Sequence, residues 1–171
     1  MSKAAADKPG LRVVRGGELS LSGESLLALL EAVLAKGVPF RFRARGFSMS
    51  PLIKDGDVLT VAPCGETRLR PGDAVAFISP LNGKPIVHRI ICLDRGFVVV
   101  KGDNVAEPDD LVPERDILGI VTSVEREGKK VRFGLGAEKR LIAFFSSRGF
   151  FEKLLSVARR IFRPATQRRG R

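Results

Sequence analysis

The chain has 171 residues, 44% of them hydrophobic, which suits one well-packed domain with an appendage and argues against wholesale disorder. Its formal charge of +11 is unevenly placed: from Lys139 onward ten Lys/Arg stand against the single acid Glu152, so residues 1–138 are nearly neutral. With two cysteines and one histidine, neither a disulfide framework nor a cysteine–histidine zinc cluster is expected.

Residues 1–21 carry charge without an apolar stretch, so they read as a loose segment rather than a signal peptide. A helix is predicted over 22–37, capped by Ser22 and stopped by Gly37. Its leucines fall on more than one face, as in a helix packed against something larger. The run "LLALLEAVLA" at 26–35 contains Glu31 and falls well short of the roughly 20 residues a membrane span requires. No transmembrane helix is expected, which suggests a cytoplasmic or peripherally membrane-associated protein.

The period then changes to two. Val38, Phe40, Phe42 and Ala44 alternate with Arg41, Arg43 and Arg45, as in a half-buried strand. Further strands are predicted in "DVLTVAP", "DAVAFIS", "PIVHRIICL", "GFVVVKG", "ILGIVTSVE" and "KKVRFG", with Gly56-Asp57, Gly72-Asp73 and Gly102-Asp103 among the turn signals. Residues 38–138 therefore read as a mainly antiparallel β domain with bent strands. Cys64 and Cys92 within it read as unpaired thiols. Residues 139–171 form a basic amphipathic tail in which Phe144, Phe151, Leu155, Ala158 and Phe162 lie near one face and Gly149 interrupts the helix. Such a tail suits either packing on the domain or an anionic membrane surface, where each basic residue contributes about 1 kcal/mol.

The chemistry centres on "RGFSMSPLIKDGDVL", residues 45–59. Gly46 and Pro51 bracket Ser48 in a tight connection able to expose its hydroxyl and its backbone N–H, and Met49 offers an apolar surface for a small substrate side chain. A serine nucleophile needs a base and an oxyanion donor. The only histidine, His88, lies in "PIVHRII", where alternation groups it with Ile86 and Ile90, opposite Val87, Arg89 and Ile91. It suits either a core position or a general base. In "KGDNVAEPDD", residues 101–110, Asp103 and Asp109 can each accept a hydrogen bond from the imidazole; the alternative is a surface turn in which Asp and Asn satisfy local amides.

In order, Ser48-Met49-Ser50-Pro51, "RPGDAVAF" at 70–77, Val87-His88-Arg89-Ile90 and "KGDN" resemble the boxes of the signal peptidase family, within the wider group it shares with self-cleaving repressors. The resemblance spans about residues 40–121. Bacterial signal peptidases and the repressor-type relatives carry lysine in the base box. The archaeal and endoplasmic-reticulum type carries histidine, as here. The resemblance implies a bent antiparallel β fold of the signal peptidase/LexA kind and a serine endopeptidase, with Ser48 as nucleophile, His88 as base, and Asp103 or Asp109 orienting it. It also implies a peptide or protein substrate bound as an extended strand, and no metal or cofactor. The Ser48 N–H is one expected oxyanion donor; Gly46 removes the hydroxyl donor two residues earlier, leaving a second unassigned. A self-cleaving repressor is disfavoured, since no Ala-Gly precedes Ser48 and Cys64-Gly65 follows it. A different class is an inactive peptidase fold that binds a membrane surface or nucleic acid through residues 140–171. Lacking Trp and Tyr, the chain is not expected to bind a specific nucleic acid.

Overall fold

A computed structural model describes residues 12–14, 18–20, 23–109, 111–132 and 134–147. In chain order the elements are β1 (Arg12–Val14), β2 (Glu18–Ser20), α1 (Gly23–Leu34), β3 (Phe40–Arg43), β4 (Val58–Ala62), β5 (Ala74–Ile78), β6 (Pro85–Asp94), β7 (Phe97–Lys101), β8 (Val112–Pro113), β9 (Ile117–Arg126), β10 (Lys129–Val131) and α2 (Lys139–Ser147). Each segment with period-two alternation is a strand. Two features were not expected: β1 and β2 pair as a small antiparallel hairpin within the stretch read as loose, and the two-residue β8 adds to the sheet.

Strands β3 to β10 form one antiparallel sheet in the order β3-β4-β9-β5-β6-β7-β8, with β10 pairing β9, curled into a half-barrel. Strands β6 and β9 are ten residues long and change partners along their length. Register shifts at Thr60/Val61, Ala76/Phe77 and Ile90/Cys92 bend them, as an extra unpaired residue in one strand does. Two clusters of buried side chains result. In one, Leu30 and Leu34 of α1 meet Met49, Ile53, Leu59, Val61, Val121 and Val124. In the other, Val75, Phe77, Ile90, Val98, Val100 and Val112 pack together.

Helix α1 buries a single stripe, Leu30 and Leu34, and leaves Leu29 exposed, so its leucines are not all required inside. It ends where Gly37 takes φ +74°, a left-handed stop that residues with a Cβ disfavour; Ser22 lies outside the described residues. Helix α2 docks through buried Ile142 and Ala143, and the Lys139 ammonium binds Asp73 at 2.6 Å. Phe144 is 48% exposed and does not share the docking stripe of Ile142 and Ala143. Gly149, Phe151, Leu155, Ala158 and Phe162 lie outside the described residues. Cys64 and Cys92 are free thiols. Among the described residues, no helix is long and apolar enough to cross a membrane.

Candidate active site

Ser48 sits half-buried on the connection from β3 to β4, and the two aspartates around Gly56 fix the shape of that connection. The Asp55 carboxylate accepts from the Gly46 N–H at 2.8 Å. Asp57 accepts from the Lys54 N–H at 2.8 Å and from two nitrogens of Arg126 at 2.9 and 2.7 Å. Burial opposes ionisation of Asp57, yet the Arg126 guanidinium and the Lys54 amide outweigh it and hold its carboxyl below the ordinary value. Main-chain bonds from Gly56 N to Ala44 O and from Ala44 N to Asp57 O close the base of the loop. Ser48 is thus presented on a loop braced from below rather than on a free turn.

His88 is 5% exposed on β6, with its ring 6.0 Å from that of Phe77. Its Nδ1 is hydrogen-bonded to an Asp109 carboxylate oxygen. With Nδ1–H donated there, the neutral ring carries its lone pair on Nε2. Asp109 is held in turn by its own N–H on Val100 O at 2.9 Å.

The remaining nitrogen and the Ser48 carbonyl oxygen both border the space beside Gly102. A Cβ built on Gly102 would lie 2.8 Å from Ser48 O and 3.1 Å from His88 Nε2, so those two atoms are separated by no more than the sum of these distances. Ser48 Oγ itself makes no hydrogen bond among the described residues, to Nε2 or to any other group. Such contacts commonly close only when substrate is bound.

Two sequence expectations need correction. Asp103 does not meet His88. It is fully buried against Arg89, taking Nε at 2.9 Å and a terminal nitrogen at 2.9 Å, while the other Arg89 nitrogen donates to Gly72 O and Gly134 O. The reason is strand alternation: His88 and Arg89 are consecutive on β6 and point to opposite faces, so they draw different aspartates. Met49 is 4% exposed and belongs to the cluster with Leu30 and Leu34, so its side chain is turned into the core and offers no substrate surface. The exposed apolar neighbour of Ser48 is Phe47, 68% exposed.

Sequence reasoning also passed over Asn104 and Gly102. The N–H of Asn104 donates to Ser48 O at 2.7 Å and its side-chain amide to Phe47 O at 3.2 Å. "KGDN" signalled a turn, but nothing in it announced a contact 57 residues away in sequence.

The family model described as Peptidase S24-like matches residues 14–124, about two thirds of the chain, and that span contains Ser48, His88, Asp103 and Asp109. The chain belongs to the Peptidase S24-like family. Its match begins within the β1–β2 hairpin and ends in β9, so α1, strands β3 to β8 and most of β9 lie within the S24-like match, and β10 follows it. No curated protein matches the chain. A cavity of about 550 Å³, lined by residues including Cys64, Arg68, Leu69, Arg95 and Glu114, contains none of the candidate residues of this S24-like site. The grouping of Ser48, His88 and Asp109, rather than that cavity, marks the candidate site.

Proposed function

We propose that this S24-like chain is a serine endopeptidase of the signal-peptidase kind, using the histidine-type base box of the archaeal and endoplasmic-reticulum enzymes. The observation that carries the reading is the placement of the sole imidazole: Nδ1 engaged by Asp109, with Nε2 and the Ser48 carbonyl oxygen both bordering the space beside Gly102. Ser48 Oγ attacks the peptide carbonyl carbon as its proton passes to His88 Nε2. Asp109 stabilises the resulting imidazolium, and the Ser48 N–H receives the developing oxyanion. His88 returns the proton to the leaving amine, and water then hydrolyses the ester by the same steps in reverse order.

The substrate is a peptide or protein bound as an added strand. On β6, residues 85–88 pair with β5 on one side. Pairing with β7 begins only at Arg89, so among the described residues the approach to His88 has an unpaired edge. Strand β3, which leads into Ser48, is likewise at an edge of the sheet.

The test is a fluorophosphonate probe followed by peptide mass spectrometry. Wild-type protein should be labelled at Ser48 and His88→Ala should not. Equal labelling of both proteins removes His88 from the chemistry, and an unreactive wild type defeats the peptidase reading.

A second reading has some support from exposed Leu141, Phe144 and Phe145 at the start of the basic segment: an inactive module held at an anionic membrane surface. Deleting residues 148–171 separates the two, because an enzyme would still cleave a soluble peptide whereas a membrane-binding module would lose its function.

A further inference from the structure

We infer that Asn104 is a positioning residue that aims the oxyanion donor at Ser48, an inference that rests on Ser48 being the nucleophile. The peptide planes on either side of Ser48 are both held by this one side chain and its own backbone. In the Phe47–Ser48 peptide, Phe47 O accepts from the Asn104 side-chain amide at 3.2 Å and from Ser50 N at 3.1 Å. In the Ser48–Met49 peptide, Ser48 O accepts from the Asn104 N–H at 2.7 Å.

A trans peptide is planar, with its C=O and N–H pointing in opposite directions. The only cis bond in the described chain is Ser50–Pro51, so both planes at Ser48 are trans. Two donors on Phe47 O therefore fix where the Ser48 N–H points, namely away from Asn104. Among the described residues that N–H has no acceptor, so it is directed but unspent. An oxyanion donor is effective because it is aligned before charge develops, which is what these contacts supply.

The same residue couples the donor to the base. Asn104 lies two residues after Gly102, where an added Cβ would press on both Ser48 O and His88 Nε2, and Val105 N closes this turn onto Gly102 O at 3.2 Å. One short segment thus sets the serine's peptide planes and its spacing from the imidazole. The loop that follows it, as far as Asp109, holds the far side of the ring.

The experiment uses the full chain as wild type, Asn104→Ala and Asn104→Asp. Each is reacted with a fluorophosphonate, whose phosphoryl oxygen takes the oxyanion's place, and the rate at Ser48 is followed by intact mass across a pH series, with Tm measured alongside. Asn104→Ala removes the side-chain donor and keeps the backbone N–H. It should slow phosphonylation about tenfold, less than outright loss of a donor. The pH midpoint should stay in place, because His88 and Asp109 are untouched, and Tm should fall by less than about 5 °C. Asn104→Asp keeps the size but turns the donor into a second acceptor facing Phe47 O, and should be slowed at least as much. A wild-type rate in Asn104→Ala overturns the inference while leaving the peptidase reading standing. So does a displaced pH midpoint in that variant, or a rate loss in both variants that only tracks loss of folded protein. An unreactive wild type overturns the reading on which the inference rests.

Discussion

Gly102→Ala is the sharpest test of the site's geometry. Gly102 has no unusual φ, so its substitution carries no backbone penalty and acts through space alone. The new Cβ would stand 2.8 Å from Ser48 O, 2.8 Å from Val105 Cγ2 and 3.1 Å from His88 Nε2. The first two must each retreat by roughly half an ångström to regain ordinary contact, and the imidazole by somewhat less. Val105 can yield by rotating. Ser48 O is tied to Asn104 N at 2.7 Å, and the imidazole is tied to Asp109, so neither retreats without breaking a bond that shapes the site. Overpacking of this size costs about 1–3 kcal/mol. For a chain of this length that lowers Tm by roughly 2–12 °C. Displacing reacting groups by up to about 1 Å costs on the order of 100-fold in rate, so Ser48 labelling should fall about 10- to 100-fold at a temperature where the variant is fully folded. Phosphonylation kinetics and thermal melts on the same preparation separate the two effects. Wild-type labelling in a folded Gly102→Ala protein would refute the claim that the Ser48 main chain and His88 are set in place beside this glycine.

The two aspartates should part company on substitution. Asp109→Asn should cut Ser48 labelling by about 100-fold or more with little change in Tm, since it removes the acceptor that sets the imidazole's tautomer. Asp103→Asn should destabilise the fold by about 3–5 kcal/mol by leaving Arg89 buried without its counter-charge, as thermal melts would show. Asp57→Asn tests the brace beneath the serine loop. The folded carboxyl lies below its ordinary 3.8, so its stabilisation is complete above that value and is lost as pH falls through the folded value. The variant should therefore be less stable than wild type at pH 7 by about 2 kcal/mol, with the difference shrinking as pH falls below about 3.8 in denaturant titrations.

Period-two alternation carries most of this fold in the sequence. Phe40 and Phe42 against Arg41 and Arg43 need only a pleated strand with one face inward, and on β6 the same alternation separates Ile86 and His88 from Val87 and Arg89 although both faces are covered. The short strands β1, β2 and β8 show no period-two alternation in the sequence, and their pairing partners decide them instead. Met49 was misread for a related reason. A methionine next to a nucleophile has the same local sequence whether it lines a groove or fills a core, and only the arrival of α1, bringing Leu30 and Leu34, decides between them.

The same limit explains why Asp103 and Asp109 stayed interchangeable on paper. Both lie on one segment within reach of one strand, and their separation comes from which face of β6 each meets. Arg89 supplies the missing information: a guanidinium buried between two carbonyls and a carboxylate needs a nearby acid, and Asp103 is committed to it. Removing Asp103 from contention leaves Asp109 to the imidazole. The residue that looked like a bystander beside the histidine thus sorts the acids, and it does so by satisfying its own buried charge.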